Sequence, residues 1–232
     1  MDKKYIIGCG IGLLIIVIYI IMHNLNIHTK NIHTKNIFDD IYNKQVWGKG
    51  SINRGSSGYG SSPKLNNKYI SYLNNFIKNN NINSIVDIGC GDWQIMENIN
   101  LSNIDYKGFD VVNEVINVNN KKYKKNNINF YKINIDEYYD YPKADLLICK
   151  DVLQHLDYKN INYILSQLNK YNHSMIINDI TNSTINRDIK NGGYRDLDIN
   201  KEPFNININY KYYMWPEHKP TKVLSYIGLS IL

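Results

Sequence analysis

Apolar residues follow two alternating patterns along the chain, one typical of strands and one typical of helices. Short runs rich in isoleucine, valine and aromatic residues predict strands at residues 84–88, 106–111, 128–133, 144–149 and 174–180. Helical spacing predicts helices at 64–79, 92–99 and 113–122, and a further helix that begins after Asp157 as its N-cap. Strands that alternate with helices predict βαβ units, and therefore an α/β fold with a mostly parallel, twisted sheet.

Acidic residues and glycines follow these strands where each strand ends. The carboxyl ends of parallel strands meet at one edge of a sheet, and ligands bind there. The residues expected at that edge are Asp87, Gly89, Gly91, Asp110, Asp136, Cys149, Lys150 and Asp151. Their convergence from separate strands predicts one ligand site.

The first strand leads directly into the sequence Asp87-Ile88-Gly89-Cys90-Gly91-Asp92. Glycines let the backbone approach a ligand closely, and the Asp87 carboxylate favours a cationic or hydroxyl-bearing ligand over a phosphate. A dinucleotide-binding motif needs a third glycine at position 94, where this chain has Gln94. The alternative interpretation is a structural turn that holds no ligand.

An acid in the next strand makes the pattern more specific. Asp110 lies 19 residues beyond Gly91, and together with the glycine sequence it resembles motif I of the class I S-adenosylmethionine-dependent methyltransferases. The resemblance implies a Rossmann-like fold with strand order 3-2-1-4-5 and a shortened final pair near 210–214 and 223–227. It implies S-adenosyl-L-methionine as the cofactor, which carries a sulfonium and an amino acid but no phosphate.

The same resemblance assigns roles to the cofactor-binding candidates. Asp110 would bind the ribose hydroxyls, and Asp136 would bind the adenine amino group, although turns commonly contain aspartate. The methionine half would face the remaining candidates, which are Asp87, Gly89, Cys90, Gly91 and Lys150.

The segment after the fourth strand, Lys150 to Leu156, resembles the part of this superfamily that borders the transferred methyl group. His155 can act there as a general base towards a hydroxyl acceptor, or it can simply pack at the start of a helix. Asp151 is a second catalytic candidate, with orientation of the cofactor or capping of the turn as the alternative. The segment lacks the Asn/Asp-Pro-Pro-aromatic and Pro-Cys sequences, which argues against DNA methylation.

A narrower resemblance extends over most of the predicted soluble part. It rests on Trp47-Gly48, residues 57–61, Cys90-Gly91-Asp92, the segment after the fourth strand and residues 194–205, which together resemble a group of bacterial methyltransferases that is often associated with surface polysaccharides. The resemblance implies that the Gly/Ser loop belongs to the site as a lid that excludes water, rather than being a flexible linker. Trp47, Tyr59 and Arg195 become candidate substrate or lid residues. The chain departs from the group at Tyr59, where proline is usual, and in its short C-terminus.

The N-terminus predicts a membrane anchor at residues 1–23. The stretch from Tyr5 to Met22 has 18 residues without charge, and a helix that crosses a bilayer needs about 20. A buried helix and a removed signal peptide are the alternatives. Lysines on both sides of the stretch leave its orientation nearly balanced. We expect a cytosolic catalytic domain because S-adenosylmethionine is made in the cytosol, and a lumenal domain stays open.

A linker at residues 24–37 separates the anchor from the predicted methyltransferase domain at 38–232. It contains the pentapeptide Asn-Ile-His-Thr-Lys, repeated without change at 26–30 and 31–35, and we interpret its histidines as part of a solvated spacer. The three cysteines have neither zinc nor disulfide spacing, so no metal is expected. The net charge of +6 is scattered and does not demand a nucleic-acid partner.

These observations favour O-methylation of a glycan or a small hydroxylated acceptor. Two alternatives from other classes stay open. One is a methyltransferase that acts on protein or RNA, and the other is a non-catalytic, membrane-tethered scaffold that retains the fold.

Overall fold

The central element of the fold is a twisted sheet. The computed structural model describes residues 16–24, 37–48, 57–181, 183–206, 209–214 and 223–228. Its strands are β1 (Ser84–Ile88), β2 (Asp105–Asp110), β3 (Ile128–Lys132), β4 (Ala144–Lys150), β5 (Tyr171–Ile180), β6 (Asn209–Met214) and β7 (Val223–Gly228). They form one seven-stranded sheet in the order β3-β2-β1-β4-β5-β7-β6. The first five strands are parallel, and β7 runs antiparallel to both β5 and β6. The predicted strand order and the terminal pair are therefore confirmed.

Helices cover both faces of the sheet. They are α1 (37–43), α2 (Asn67–Asn79), α3 (Asn113–Lys122) and α4 (Tyr158–Leu165). A 3-10 turn at Pro63–Asn66 precedes α2, so the helix predicted at 64–79 begins a few residues later than expected. The N-cap prediction is confirmed, because the Asp157 carboxylate accepts a hydrogen bond from the Asn160 N–H at 2.9 Å.

Alternate strand residues build two hydrophobic layers. Ile85 and Leu146 point to the layer that contains Leu73 of α2, whereas Val86 and Leu147 point to the layer that contains α4. All four strand residues are at most 1% exposed. Burial on both faces explains why these strands appear in the sequence as continuous apolar runs.

The helix predicted at 92–99 is wrong. This segment consists of turns and one 3-10 turn at Met96–Asn98. Trp93 has φ +61°, a left-handed conformation that does not occur inside a right-handed helix. Its ring is buried against Tyr106 and Phe130, with ring centroids 5.6 and 5.4 Å apart. Packing of this large side chain therefore overrides the helical pattern, and no helix follows the glycines.

The predicted membrane anchor is not supported by the structure. Of that region, residues 16–24 are described as helical, and their apolar side chains are exposed. Nine helical residues extend only about 14 Å, against a hydrocarbon core of about 30 Å. Among the described residues, no helix is long and apolar enough to cross a membrane. Residues 1–15 and the pentapeptide repeat lie outside the described residues, so the domain boundaries stay predictions.

Candidate functional site

A cleft lies at the carboxyl ends of β1, β2 and β4. Its volume is about 1010 Å³ when the open space at its mouth is included. The predicted site residues that line it are Trp47, Asp87, Gly89, Cys90, Asp110, Lys150, Asp151 and His155. Separate strand ends therefore meet in one place, as expected, but Gly91, Asp136 and Cys149, which were expected at the same edge, do not line the cleft.

The glycine turn, residues 89–92, borders the cleft, and Gly89, Cys90 and Asp92 line it. Both glycines adopt left-handed backbone conformations, with φ +72° at Gly89 and +52° at Gly91. A Cβ atom at Gly89 would lie 2.2 Å from Cγ2 of Val152, and one at Gly91 would lie 2.6 Å from Oγ of Ser57. Glycine is therefore required at both positions by the backbone conformation and by close packing.

Every backbone N–H group of the glycine turn donates to an acceptor within the protein. The four hydrogen bonds are Gly89 N–H and Cys90 N–H to the Phe109 carbonyl (2.8 and 3.0 Å), Gly91 N–H to Asp110 Oδ2 (3.0 Å) and Asp92 N–H to Ser57 Oγ (2.9 Å). Phosphate sites use unpaired N–H groups at a glycine turn and at the helix that follows it. This turn has no unpaired N–H group and no helix follows it, so it is unsuited to a phosphate.

Two buried acids lie beside the turn. Asp87 is 4% exposed and accepts a hydrogen bond from the Tyr106 hydroxyl at 2.6 Å. Burial raises the pKa of Asp87 to about 7, against the lowering effect of Tyr106. Burial also raises the pKa of Asp110 to about 6, opposed by hydrogen bonds from the N–H groups of Val112 and Gly91. A cationic ligand would stabilise the ionised form of both acids.

Acidic groups outnumber basic ones in the cleft. Lys150 is the one lysine or arginine among the described lining residues, and it pairs with the Asp151 carboxylate. Its Nζ also lies 3.5 Å from the carbonyl oxygen of Gly60. Asp151 has φ +58°, a conformation that costs energy in a non-glycine residue and is common at functional sites. The lining acids Asp87, Asp92, Asp110 and Asp151 make the site attractive to cations.

His155 is held in one tautomer at the edge of the cleft. Its Nδ1 lies 2.7 Å from the Gly193 carbonyl oxygen, which can only accept, so Nδ1 carries the proton. The neutral ring therefore keeps its lone pair on Nε2. Burial lowers the pKa of His155, against the raising effect of the Gly193 carbonyl. The ring packs between Trp47 and Tyr194, with centroids 4.7 and 5.8 Å away. A neutral imidazole fixed in this way can accept a proton.

Asp136 does not line the cleft. It lies in the 3-10 turn Ile135–Glu137, where its Oδ1 is 3.5 Å from the amide nitrogen of Asn160. Its neighbours Ile133 and Ile135 form the cleft wall instead. The expectation that Asp136 binds the adenine amino group therefore has no support from the geometry, because the turn presents apolar residues at this point.

Arg195 and Tyr59 were the other predicted substrate or lid residues. Arg195 is 3% exposed and does not line the cleft. Its guanidinium donates to the Leu153 carbonyl at 3.1 Å, and its backbone N–H donates to the Gln154 carbonyl at 3.2 Å. It thus supports the 3-10 turn that ends at His155. The backbone of Tyr59 lies in the 3-10 turn Tyr59–Ser61, and its side chain lies outside the described residues.

Sequence analysis missed several residues that shape the site. Asn119 of α3 is fully buried and donates to the Gly91 carbonyl at 2.7 Å, which fixes the glycine turn from below. Ser57 accepts a hydrogen bond from the Asp92 N–H of the turn, the Tyr42 hydroxyl lies 2.8 Å from Oγ of Ser57, and Phe38 of α1 lines the cleft. A polar residue on the buried face of a helix could have revealed Asn119, but the asparagine-rich composition conceals that signal.

Comparisons with known proteins agree with this geometry. Residues 86–172 match the family model described as a methyltransferase domain. The chain is similar to magnesium protoporphyrin IX methyltransferase from Synechocystis PCC 6803 with bound SAM, at 16% identity and a TM-score of 0.56, over 84% of this chain and 96% of that one. It is also similar to the methyltransferase domain of bacterial CtHen1, at 11% identity and a TM-score of 0.52, over 71% of this chain and 100% of that one. No curated protein matches the chain.

The structural similarities show a shared Rossmann-like α/β fold. The family match runs from β1 into β5, so it includes the glycine turn, Asp110 and His155. The match to a methyltransferase domain and the shared fold support an S-adenosyl-L-methionine-dependent methyltransferase. The residues of the cleft fit that donor, because buried acids suit a sulfonium cation and the paired N–H groups of the turn disfavour a phosphate. The resemblance to the polysaccharide-associated bacterial group is not confirmed and stays a prediction.

The raised pKa of Asp87 predicts a dependence of stability on pH. Protonated Asp87 is favoured in the folded state, so the ligand-free protein loses stability as the pH rises from about 4, the ordinary pKa of an aspartate, to about 7, the pKa in the folded state. Asp87→Asn keeps an oxygen acceptor for Tyr106 and cannot ionise. We expect its unfolding free energy, measured by urea denaturation, to fall less between about pH 5 and pH 8 than that of the wild type, by on the order of 2 kcal/mol. Asp105→Asn, at an exposed site, serves as the control, and equal pH dependence of all three proteins would contradict the assignment.

Proposed function

We propose that this enzyme transfers a methyl group from S-adenosyl-L-methionine to a hydroxyl group of a glycan or a small hydroxylated acceptor. The observation that carries the proposal is the neutral His155, which has its Nε2 lone pair available at the edge of a cleft suited to a sulfonium. A hydroxyl acceptor is protonated at neutral pH and benefits from a base, whereas many other acceptors do not.

The cleft offers a separate environment for each part of the donor. Asp87 and the glycine turn would hold the methionine half, with Lys150 as the cation for its carboxylate. Asp110 would accept hydrogen bonds from the ribose hydroxyls. The purine would contact an apolar wall formed by Phe38, Val111, Ile133 and Ile135. This wall replaces the hydrogen bond that the sequence assigned to Asp136.

The acceptor would enter beside His155, where Trp47 and Asp151 also line the cleft. An aromatic ring next to a carboxylate suits a hydroxylated ring, because the indole face packs on C–H groups while the acid accepts from hydroxyls. The bound donor supplies an electrophilic methyl group on a sulfonium. The chain's contribution is to orient the acceptor and to take up the hydroxyl proton at Nε2 of His155.

The cellular location forms part of the proposal. A cytosolic catalytic domain is favoured because the methyl donor is made in the cytosol. Attachment to a membrane rests on the uncharged sequence from Tyr5 to Met22 alone.

The most direct test offers radiolabelled S-adenosyl-L-methionine to separate pools of glycans, small hydroxylated compounds, protein and RNA. We expect label in a glycan or small-molecule fraction, and we expect it to resist mild base, because methyl ethers survive conditions that hydrolyse methyl esters. Label confined to protein or RNA would support that alternative and overturn the proposal. A chain that neither transfers label nor binds the donor would be a scaffold.

Replacement of the proposed base gives a second prediction. In His155→Gln we expect kcat to fall by about 100-fold or more, while the Kd for the donor changes less than about twofold. The wild-type rate should rise with pH through the lowered pKa of His155, and the variant should lack this rise. His173→Gln serves as the control, because that ring packs on Phe76 at 5.2 Å and does not line the cleft. An unaltered pH–rate profile in His155→Gln would rule out the base.

A further inference from the structure

Ser57 and Asp92 exchange two hydrogen bonds above the glycine turn, although they are 35 residues apart in the sequence. The Ser57 N–H donates to Oδ2 of Asp92 at 3.2 Å, and the Asp92 N–H donates to Oγ of Ser57 at 2.9 Å. The same Oδ2 accepts a hydrogen bond from the Gln94 amide at 2.8 Å. Both residues line the cleft, so this reciprocal pair is part of its wall.

The pair fixes the position of a short stretch that we call the wall segment, residues 57–61. The hydroxyl of Ser61 donates to the carbonyl of Ser57 at 2.8 Å, which folds the segment into a tight turn. The carbonyl of Gly60 then lies 3.5 Å from Nζ of Lys150. The position of this acceptor beside the lysine of the cleft therefore depends on how the wall segment docks onto the glycine turn.

Ser57 also connects the two ends of the cleft. Its Oγ lies 2.8 Å from the Tyr42 hydroxyl at the end of α1. The ring of Tyr42 packs against Trp47 with centroids 5.7 Å apart, and Trp47 packs against His155 at 4.7 Å. A continuous set of contacts thus joins the glycine turn, where the donor would bind, to the proposed base.

The glycine turn and the wall segment are in close contact. A Cβ atom built at Gly91 would lie 2.6 Å from Oγ of Ser57 and 3.5 Å from the Tyr42 hydroxyl. No side chain fits between the two layers. The glycine at position 91 is therefore required by the wall segment as well as by its own φ angle.

We propose that Ser57 and Asp92 are positioning residues of the methyl-donor site. Their hydrogen bonds hold the wall segment against the glycine turn, pair the last N–H group of that turn, and keep the Gly60 carbonyl at Lys150. The inference rests on the proposed function, since it concerns the donor of that reaction. Because neither residue takes part in proton transfer, their loss weakens donor binding and leaves the methyl-transfer step largely intact.

The test compares Ser57→Ala with the wild type. We expect the Kd and KM for S-adenosyl-L-methionine to rise about tenfold, because the Asp92 N–H loses its acceptor and the wall segment loses a contact with the turn, with kcat within about twofold. Ser102→Ala is a matched control, because that exposed hydroxyl donates to Asn100 at 2.8 Å and lies outside the described lining of the cleft. Thermal unfolding followed by circular dichroism checks that each variant is folded.

A double-mutant cycle tests whether the two residues act as a pair. Ser57→Ala removes the hydrogen bond from the Asp92 N–H, and Asp92→Ala removes the one from the Ser57 N–H. We expect the double variant to bind the donor about as weakly as either single variant, because either loss releases the same wall segment from the glycine turn. Independent effects that multiply in the double variant would overturn the inference. Unchanged donor affinity in Ser57→Ala would also overturn the inference. The proposed function would still stand in that case if the wild-type protein binds the donor. Absence of donor binding to the wild-type chain would overturn both.

Discussion

The pairing of every N–H group in the glycine turn is the constraint on which the rest of the site depends. A glycine turn at the end of a parallel strand can bind a phosphate only through unpaired N–H groups, and here three acceptor atoms of the protein take up all four N–H groups. With that capacity removed, the buried acids Asp87 and Asp110 determine the ligand. They attract a cation and accept hydrogen bonds from hydroxyl groups, which together describe a sulfonium nucleoside.

The N–H groups of the glycine turn are all hydrogen-bonded because three separate parts of the chain meet there. The parallel register places Asp87 of β1 opposite Gly108 of β2, so Asp110 lies beside the turn. Trp93 is buried in a left-handed conformation, which prevents a helix from starting at the glycines. Ser57, which precedes β1 in the sequence, accepts the hydrogen bond from the last N–H group of the turn, that of Asp92. The topology of the sheet and the packing of one tryptophan thus decide which of two ligand classes the glycine-rich sequence can bind.

Local patterns in the sequence predicted much of this fold. The limits of β1 and α3 and the N-cap at Asp157 follow from spacing and from capping rules, whereas the strand order came from the resemblance to class I methyltransferases. The failures involve contacts between distant residues. The indole of Trp93 finds its pocket only in the folded chain, and Arg195 supports the turn before His155 rather than facing the cleft. In the sequence, Asn119 could not be distinguished from the many other asparagines of the chain.

Direct titration of the unmodified chain with two adenosine-containing ligands tests the central claim. The account predicts that calorimetry detects saturable binding of S-adenosyl-L-methionine and no binding of NAD at millimolar concentration, because the pyrophosphate of NAD would meet buried carboxylates and no unpaired N–H group in the glycine turn. Binding of NAD as tight as that of S-adenosyl-L-methionine, with each ligand displacing the other, would contradict it.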